Sequence, residues 1–156
     1  MADSLYFSLI RSFLVLASPS EVPELTEEPG ILELHVAPFT CYVVPLLQRE
    51  QIILQCAVLD LSELGLQQNL SILRLLHSLN WASSVSTGIT ILLDENHHAI
   101  VHKALKLKQT SAHILEQELA ALTEAAAQLK TTLLALPNTS NTETPRDSAP
   151  PMGLKA

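Results

Sequence analysis

Six histidines, two cysteines and 16 acidic side chains are the groups of this 156-residue sequence that could carry chemistry. The densest histidine group is His97, His98 and His102. On a helix His98 and His102 would share a face one turn apart, but His98, Ile100 and His102 alternate with Ala99, Val101 and Lys103 as in a strand. Four residues of strand span about 13 Å, too far for one metal ion to be held by both rings. The group reads as the polar face of a hairpin. His77 lies in the polar sector of a Leu-rich helical segment and His35 opposite an apolar strand face, so both read as surface or interface residues. Cys41 and Cys56 fall in separate extended runs with no second pair at ligand spacing, which marks them as core thiols of a reducing compartment. No serine sits in a Gly-x-Ser-x-Gly elbow, and the 4 glycines are too dispersed to cradle a phosphate. The sequence predicts no catalytic residue, no cofactor and no metal site.

With those chemistries set aside, the bulk composition carries the next inference. The formal charge is -7, hydrophobic residues make up 47% and charged residues only 16%. An acidic balance argues against nucleic acid and anionic membranes, which are attracted by clustered Lys and Arg. No uncharged apolar run approaches the roughly 18 residues of a membrane span. Residues 5–17 are apolar enough to pass for a secretory leader, but Asp3 precedes them and Arg11 interrupts them, so none is expected. Without a leader, Asn69-Leu70-Ser71 and Asn138-Thr139-Ser140 are chance matches to the glycosylation pattern. Leu supplies about one residue in five, more apolar surface than a small monomer hides, so a self-interface or partner surface is expected.

The elements that position these surfaces follow from hydrophobic period. Residues 4–17 have helical spacing, with Leu5, Leu9, Phe13 and Leu16 on one stripe, Tyr6, Ile10 and Ala17 beside it, and Asp3 or Ser4 as cap. Residues 18–30 combine Pro19, Pro23 and Pro29 with Glu21, Glu24, Glu27 and Glu28, an acidic connector. From Ile31 the period becomes two, with Leu32, Leu34 and Val36 on one strand face. Pro38 marks a turn, residues 39–47 a second strand and residues 52–59 a third, while Pro45, lacking an N–H, belongs at an edge or bulge. Residues 62–82 return to the helical period. At about 100° per residue their Leu66, Leu70, Ile72, Leu73, Leu75, Leu76 and Leu79 cover roughly 220°, so this helix needs burial on two sides. Thr87-Gly88 opens a fourth strand, His98 a fifth, and Thr110 or Ser111 caps a long final helix that Pro137 ends. Residues 1–136 thus form one domain, and residues 137–156, without an apolar period, a disordered tail. Truncation after Leu136 is expected to leave the melting temperature within about two degrees of full length, since such a tail has nothing with which to offset its ordering entropy. A fall of about ten degrees would show that it packs.

The order helix, three strands, helix, two strands, helix resembles the class I chaperones of bacterial type III secretion, the family of the Tir and Yop effector chaperones. The likeness is closest over residues 70–133, through Leu-Leu-His-Ser-Leu-Asn at 75–80, Gly-Ile-Thr-Ile-Leu-Leu-Asp-Glu from Gly88 and Leu-Lys-Leu-Lys-Gln-Thr-Ser before the last helix. The resemblance implies an α+β fold, a twisted, mainly antiparallel five-stranded sheet with three helices. It also implies a cytoplasmic homodimer without enzymatic activity, joined largely through the second helix at Leu66, Leu70, Leu73, Leu76 and Leu79. An effector's N-terminal chaperone-binding segment would wrap around it in extended form, and the secretion ATPase would be a further partner. Leu5, Leu9, Phe13, Leu32 and Leu34 are the expected effector contacts, because the first helix shows more apolar surface than one sheet face covers. The rival reading is a small dimeric scaffold that binds a folded partner.

Overall fold

The computed structural model describes residues 1–17, 29–62 and 70–136. The four glutamates of the acidic connector, Leu66 and the tail 137–156 lie outside the described residues. The elements are α1 (Ala2–Ala17), β1 (Leu32–Val36), β2 (Phe39–Leu46), β3 (Gln51–Asp60), α2 (Leu70–Thr87), β4 (Thr90–Leu93), β5 (His98–Lys106) and α3 (Ala112–Leu134). This is the α+β order that the hydrophobic periods predict. The sheet order is β1-β2-β3-β5-β4, and every neighbouring pair is antiparallel.

Alternation builds the core. Cys41 and Val43 on β2, Ile52, Leu54 and Cys56 on β3, and Val101 and Leu105 on β5 are buried, with half-buried or exposed residues between them. Leu115, Leu119, Leu122, Ala126, Leu129 and Leu133 form the buried stripe of α3, which covers this face. The Ser111 hydroxyl caps α3 by accepting the Ile114 amide at 3.3 Å. Helix α1 packs on α3, and the Tyr6 hydroxyl donates to the Gly30 carbonyl at 2.8 Å, tying α1 to the residue that leads into β1. Lys130 lies 5.7 Å from the centre of the Phe39 ring, joining the far end of α3 to β2.

Three boundaries depart from the sequence reading. Helix α1 begins at Ala2, so Asp3 and Ser4 lie in its first turn and neither is the cap, although Asp3 still favours the helix dipole there. Helix α2 continues to Thr87 instead of ending near Ala82, and β4 begins only at Thr90. The cause is local: Ser86 and Thr87 hydroxyls donate back to the Ala82 and Ser83 carbonyls at 2.8 Å, which lets a serine-rich run complete the last turns. Gly88 ends the helix in the left-handed region at φ 71°. A Cβ there would meet only Lys103 Cε at 3.7 Å, so the expected cost of Gly88→Ala is the backbone strain alone, about 1–2 kcal/mol. The urea midpoint should fall with the slope unchanged; no change in midpoint would refute the strain assignment.

The β2–β3 ladder is unbroken from Cys41↔Cys56 to Leu46↔Gln51, whereas β1 pairs with β2 only as far as Val43. Pro45 therefore sits beyond the reach of β1, on a stretch of β2 that, among the described residues, has a strand on one flank only, as its missing N–H predicts.

Candidate functional site

The residues expected to meet an effector fall into two groups. Leu5 is 39% exposed, while Leu9 and Phe13 are buried beneath α1 with Tyr6, Ile10 and Leu14. The two apolar stripes of α1 were equally legible, and the structure turns the Tyr6 and Ile10 side inward. It leaves Leu5, Val15 and Leu16 on the surface. On β1, Leu32 and Leu34 are half-buried and packed against the core, with Glu33 and His35 on the other face. Ile31, just before the strand, is 65% exposed, and the Tyr6–Gly30 hydrogen bond places the Leu5 and Ile31 regions side by side. Desolvation pushes the Tyr6 phenol up from its ordinary value, so the hydroxyl stays a donor. Among the described residues no strand pairs with the outer flank of β1.

Helix α2 carries two opposed apolar faces. Ile72 and Leu76 are buried and Leu79 half-buried, and this side packs towards β4. Leu70, Leu73, Trp81 and Val85 are exposed, Trp81 and Val85 at 73% and 72%. At about 100° per residue Leu70, Trp81 and Val85 fall within roughly 60° of one another, on the side away from Ile72 and Leu76. Of the expected interface residues, Leu70 and Leu73 thus share an exposed face, Leu76 belongs to the chain's own core, and Leu79 lines a cavity. Val85 lies beyond the helix end expected near Ala82, and Trp81, inside it, lies off the leucine arc; a tryptophan four residues from a valine in a helical run was the signal available. Leu92 and Leu93 on β4 add further exposed apolar surface.

A cavity of about 480 Å³ lies between α2 and α3 over β4 and β5, with Leu79, Ile89, Ile91, Val101 and Leu129 among its lining residues. Lys103, also on its wall, is paired with Glu118 of α3. The Asn80 side chain of α2 accepts the Ile91 amide at 2.8 Å, so β4, at the end of the sheet, has one of its amides taken up by a helix.

The histidines form no ligand set. His98 Nδ1 lies 3.0 Å from Asp94 Oδ2 and its Nε2 3.8 Å from Asp60 Oδ2, at the mouth of the β4–β5 hairpin. Burial alone would raise the Asp94 carboxyl, but hydrogen bonds from the His98 amide and ring and the Asn96 amide hold it below the usual range. His102 is further along β5, its imidazole pKa lowered by desolvation. No group of three or more metal-ligating side chains occurs among the described residues.

The described residues thus present two exposed apolar patches, a helix with opposed apolar faces and a sheet edge without a paired strand. The sequence profile of the Tir chaperone protein (CesT) family matches residues 16–130, which include β1 to β5, α2 and most of α3. The chain belongs to this family. Its Tir chaperone fold is also that of solved structures. One, from the HopA1-SchA chaperone-effector complex, is 16% identical with a TM-score of 0.68, covering 84% of this chain and 97% of that one. Another, from the ExsC-ExsE complex, is 21% identical with a TM-score of 0.66, covering 81% and 94%. A third is the Yersinia pestis type III secretion chaperone SycH in complex with a stable fragment of YscM2, 21% identical with a TM-score of 0.54, covering 80% and 98%. No curated protein sequence matches the chain. No helix among the described residues is long and apolar enough to cross a membrane.

Proposed function

We propose that this Tir chaperone family member is a type III secretion chaperone that binds the N-terminal segment of one or more effectors and keeps it non-globular, soluble and ready for secretion. The observation that carries the reading is the family match over residues 16–130, and the solved structures that share the fold include one from a chaperone-effector complex and a type III secretion chaperone in complex with a fragment of another protein. The surfaces support it. Leu5, Ile31 and the free flank of β1 offer an extended segment both side-chain contacts and a row of backbone groups, the mode of strand addition. Leu32 and Leu34 form the half-buried floor beside them, and Leu9 and Phe13 hold α1 in place from beneath.

The protein acts as a homodimer through the exposed face of α2, with Leu70, Leu73, Trp81 and Val85 at the centre; Leu66 would extend that face and Leu76 and Leu79 support it from behind. It works in the bacterial cytoplasm, by differential binding and without a catalytic step, and the secretion ATPase takes the client from it. The test is co-expression with N-terminal segments and with separate folded domains of effectors from the same secretion system. A complex with the N-terminal segment, which remains protease-sensitive between its contact points, is the expected result. Retention of folded domains alone would replace this reading with that of a scaffold.

A further inference from the structure

Cys41 and Cys56 stand directly opposite each other in the β2–β3 ladder, and both are free thiols without solvent exposure. Pro45 reveals which kind of pair they make. It is registered with Ile52 and has no N–H to exchange, so Pro45↔Ile52 is a non-hydrogen-bonded pair. The two kinds alternate along an antiparallel ladder, and the register runs unshifted from Pro45 to Cys41, which makes Cys41↔Cys56 non-hydrogen-bonded as well. Such pairs bring Cα atoms to about 4.5 Å, just inside the range of about 4.4–6.8 Å that disulfides span. The neighbouring Cys56 thiol eases the proton off Cys41, while Cys41 and burial hold the proton on Cys56, whose Sγ donates to the Ala57 carbonyl at 3.7 Å.

We propose that Cys41 and Cys56 are an oxidisable dithiol, closed by a low-molecular-weight disulfide such as oxidised glutathione into a labile cross-strand disulfide. The Cys41 thiol gives its proton to solvent and attacks one sulfur of the oxidant, forming a mixed disulfide and releasing one glutathione thiolate. The Cys56 thiol then loses its proton and attacks the Cys41 sulfur, releasing the second. The protein loses two protons and two electrons, and the oxidant becomes two thiols. The disulfide is labile because the backbone cannot relax around it: β2 is held between β1 and β3, and β3 between β2 and β5. A Cα spacing at the short limit leaves strain, and strained disulfides reduce more readily. Oxidant reaches the pair through opening of β1, the edge strand whose Leu34 is registered with Cys41.

Full-length protein in native buffer is treated with oxidised glutathione, quenched with iodoacetamide, weighed intact and digested. Loss of two hydrogens, no alkylation and a peptide linking Cys41 to Cys56 within one chain are expected, and an excess of reduced glutathione should restore both thiols. In Cys56→Ser the reaction should stop at one glutathione adduct on Cys41. The proposal is overturned if wild type keeps two alkylatable thiols, carries only glutathione adducts or links between chains, or forms a disulfide that reduced glutathione leaves intact. The wild-type result decides the matter even where the serine variant does not fold.

Discussion

Trp81→Asp and Val85→Asp are expected to turn the proposed dimer into a folded monomer, whereas Leu76→Asp is expected to destroy the fold and with it any dimer. Trp81 and Val85 are largely exposed within one chain, so a charge there meets water unless a second copy covers it. An aromatic side chain buries about 150–250 Å², and at about 25 cal/mol per Å² covering the exposed part of Trp81 is worth roughly 3–4 kcal/mol. A two-fold interface counts each change twice, so the dimerisation constant should fall by more than about 10⁴-fold. Leu73→Asp, on the same exposed side, should behave alike. Leu76 is 7% exposed, and a buried carboxylate without a partner costs more than the roughly 2–5 kcal/mol of a leucine truncation. Sedimentation velocity with thermal melts by circular dichroism reads both quantities. An intact dimer for Trp81→Asp and Leu73→Asp, or a monomeric wild type, would remove α2 from the interface.

The second large effect separates binding from stability on α1. Leu5→Gln and Ile31→Gln are expected to weaken effector retention about tenfold each while the melting temperature and dimer content stay unchanged, since both side chains are exposed. Leu9→Gln and Phe13→Gln place an amide in the core and should cost about 3–5 kcal/mol, losing the fold before binding can be read. If no variant in the set parts binding from stability, α1 is plain core and the client lies elsewhere.

The strands were legible because a period of two survives even in short runs, and the β1 alternation of Leu32, Leu34 and Val36 with Glu33 and His35 leaves one register for the core face. The two-sided demand of α2 was equally legible, since no single sheet can cover so wide an apolar arc. Which side of α1 turns inward was not, because Leu5, Leu9 and Phe13 form as good a stripe as Tyr6 and Ile10; the choice is made by contacts with α3 and by the Tyr6–Gly30 bond, far away in sequence. The end of α2 was hidden by serines whose hydroxyls favour turns in isolation and here close helical turns. The meeting of Cys41 with Cys56 depends on how many residues the intervening turn consumes, where the Leu47–Arg49 3-10 turn and Glu50 at φ 51° set the register.

Asn80 bears on how copies of this chain can assemble. A sheet with two free borders is a monomer in the polymer chemist's sense, able to add a neighbour at each end and grow into a fibre. Here one amide of the β4 border is taken up by α2 through the Asn80–Ile91 hydrogen bond, whereas β1, among the described residues, has no strand paired with its outer flank. Two such sheets that met along β1 could add further copies only through α2, and a client strand that occupies β1 first removes the sheet pairing altogether. β1 is thus the strand border at which such growth would start, and a client strand paired along it stops that growth.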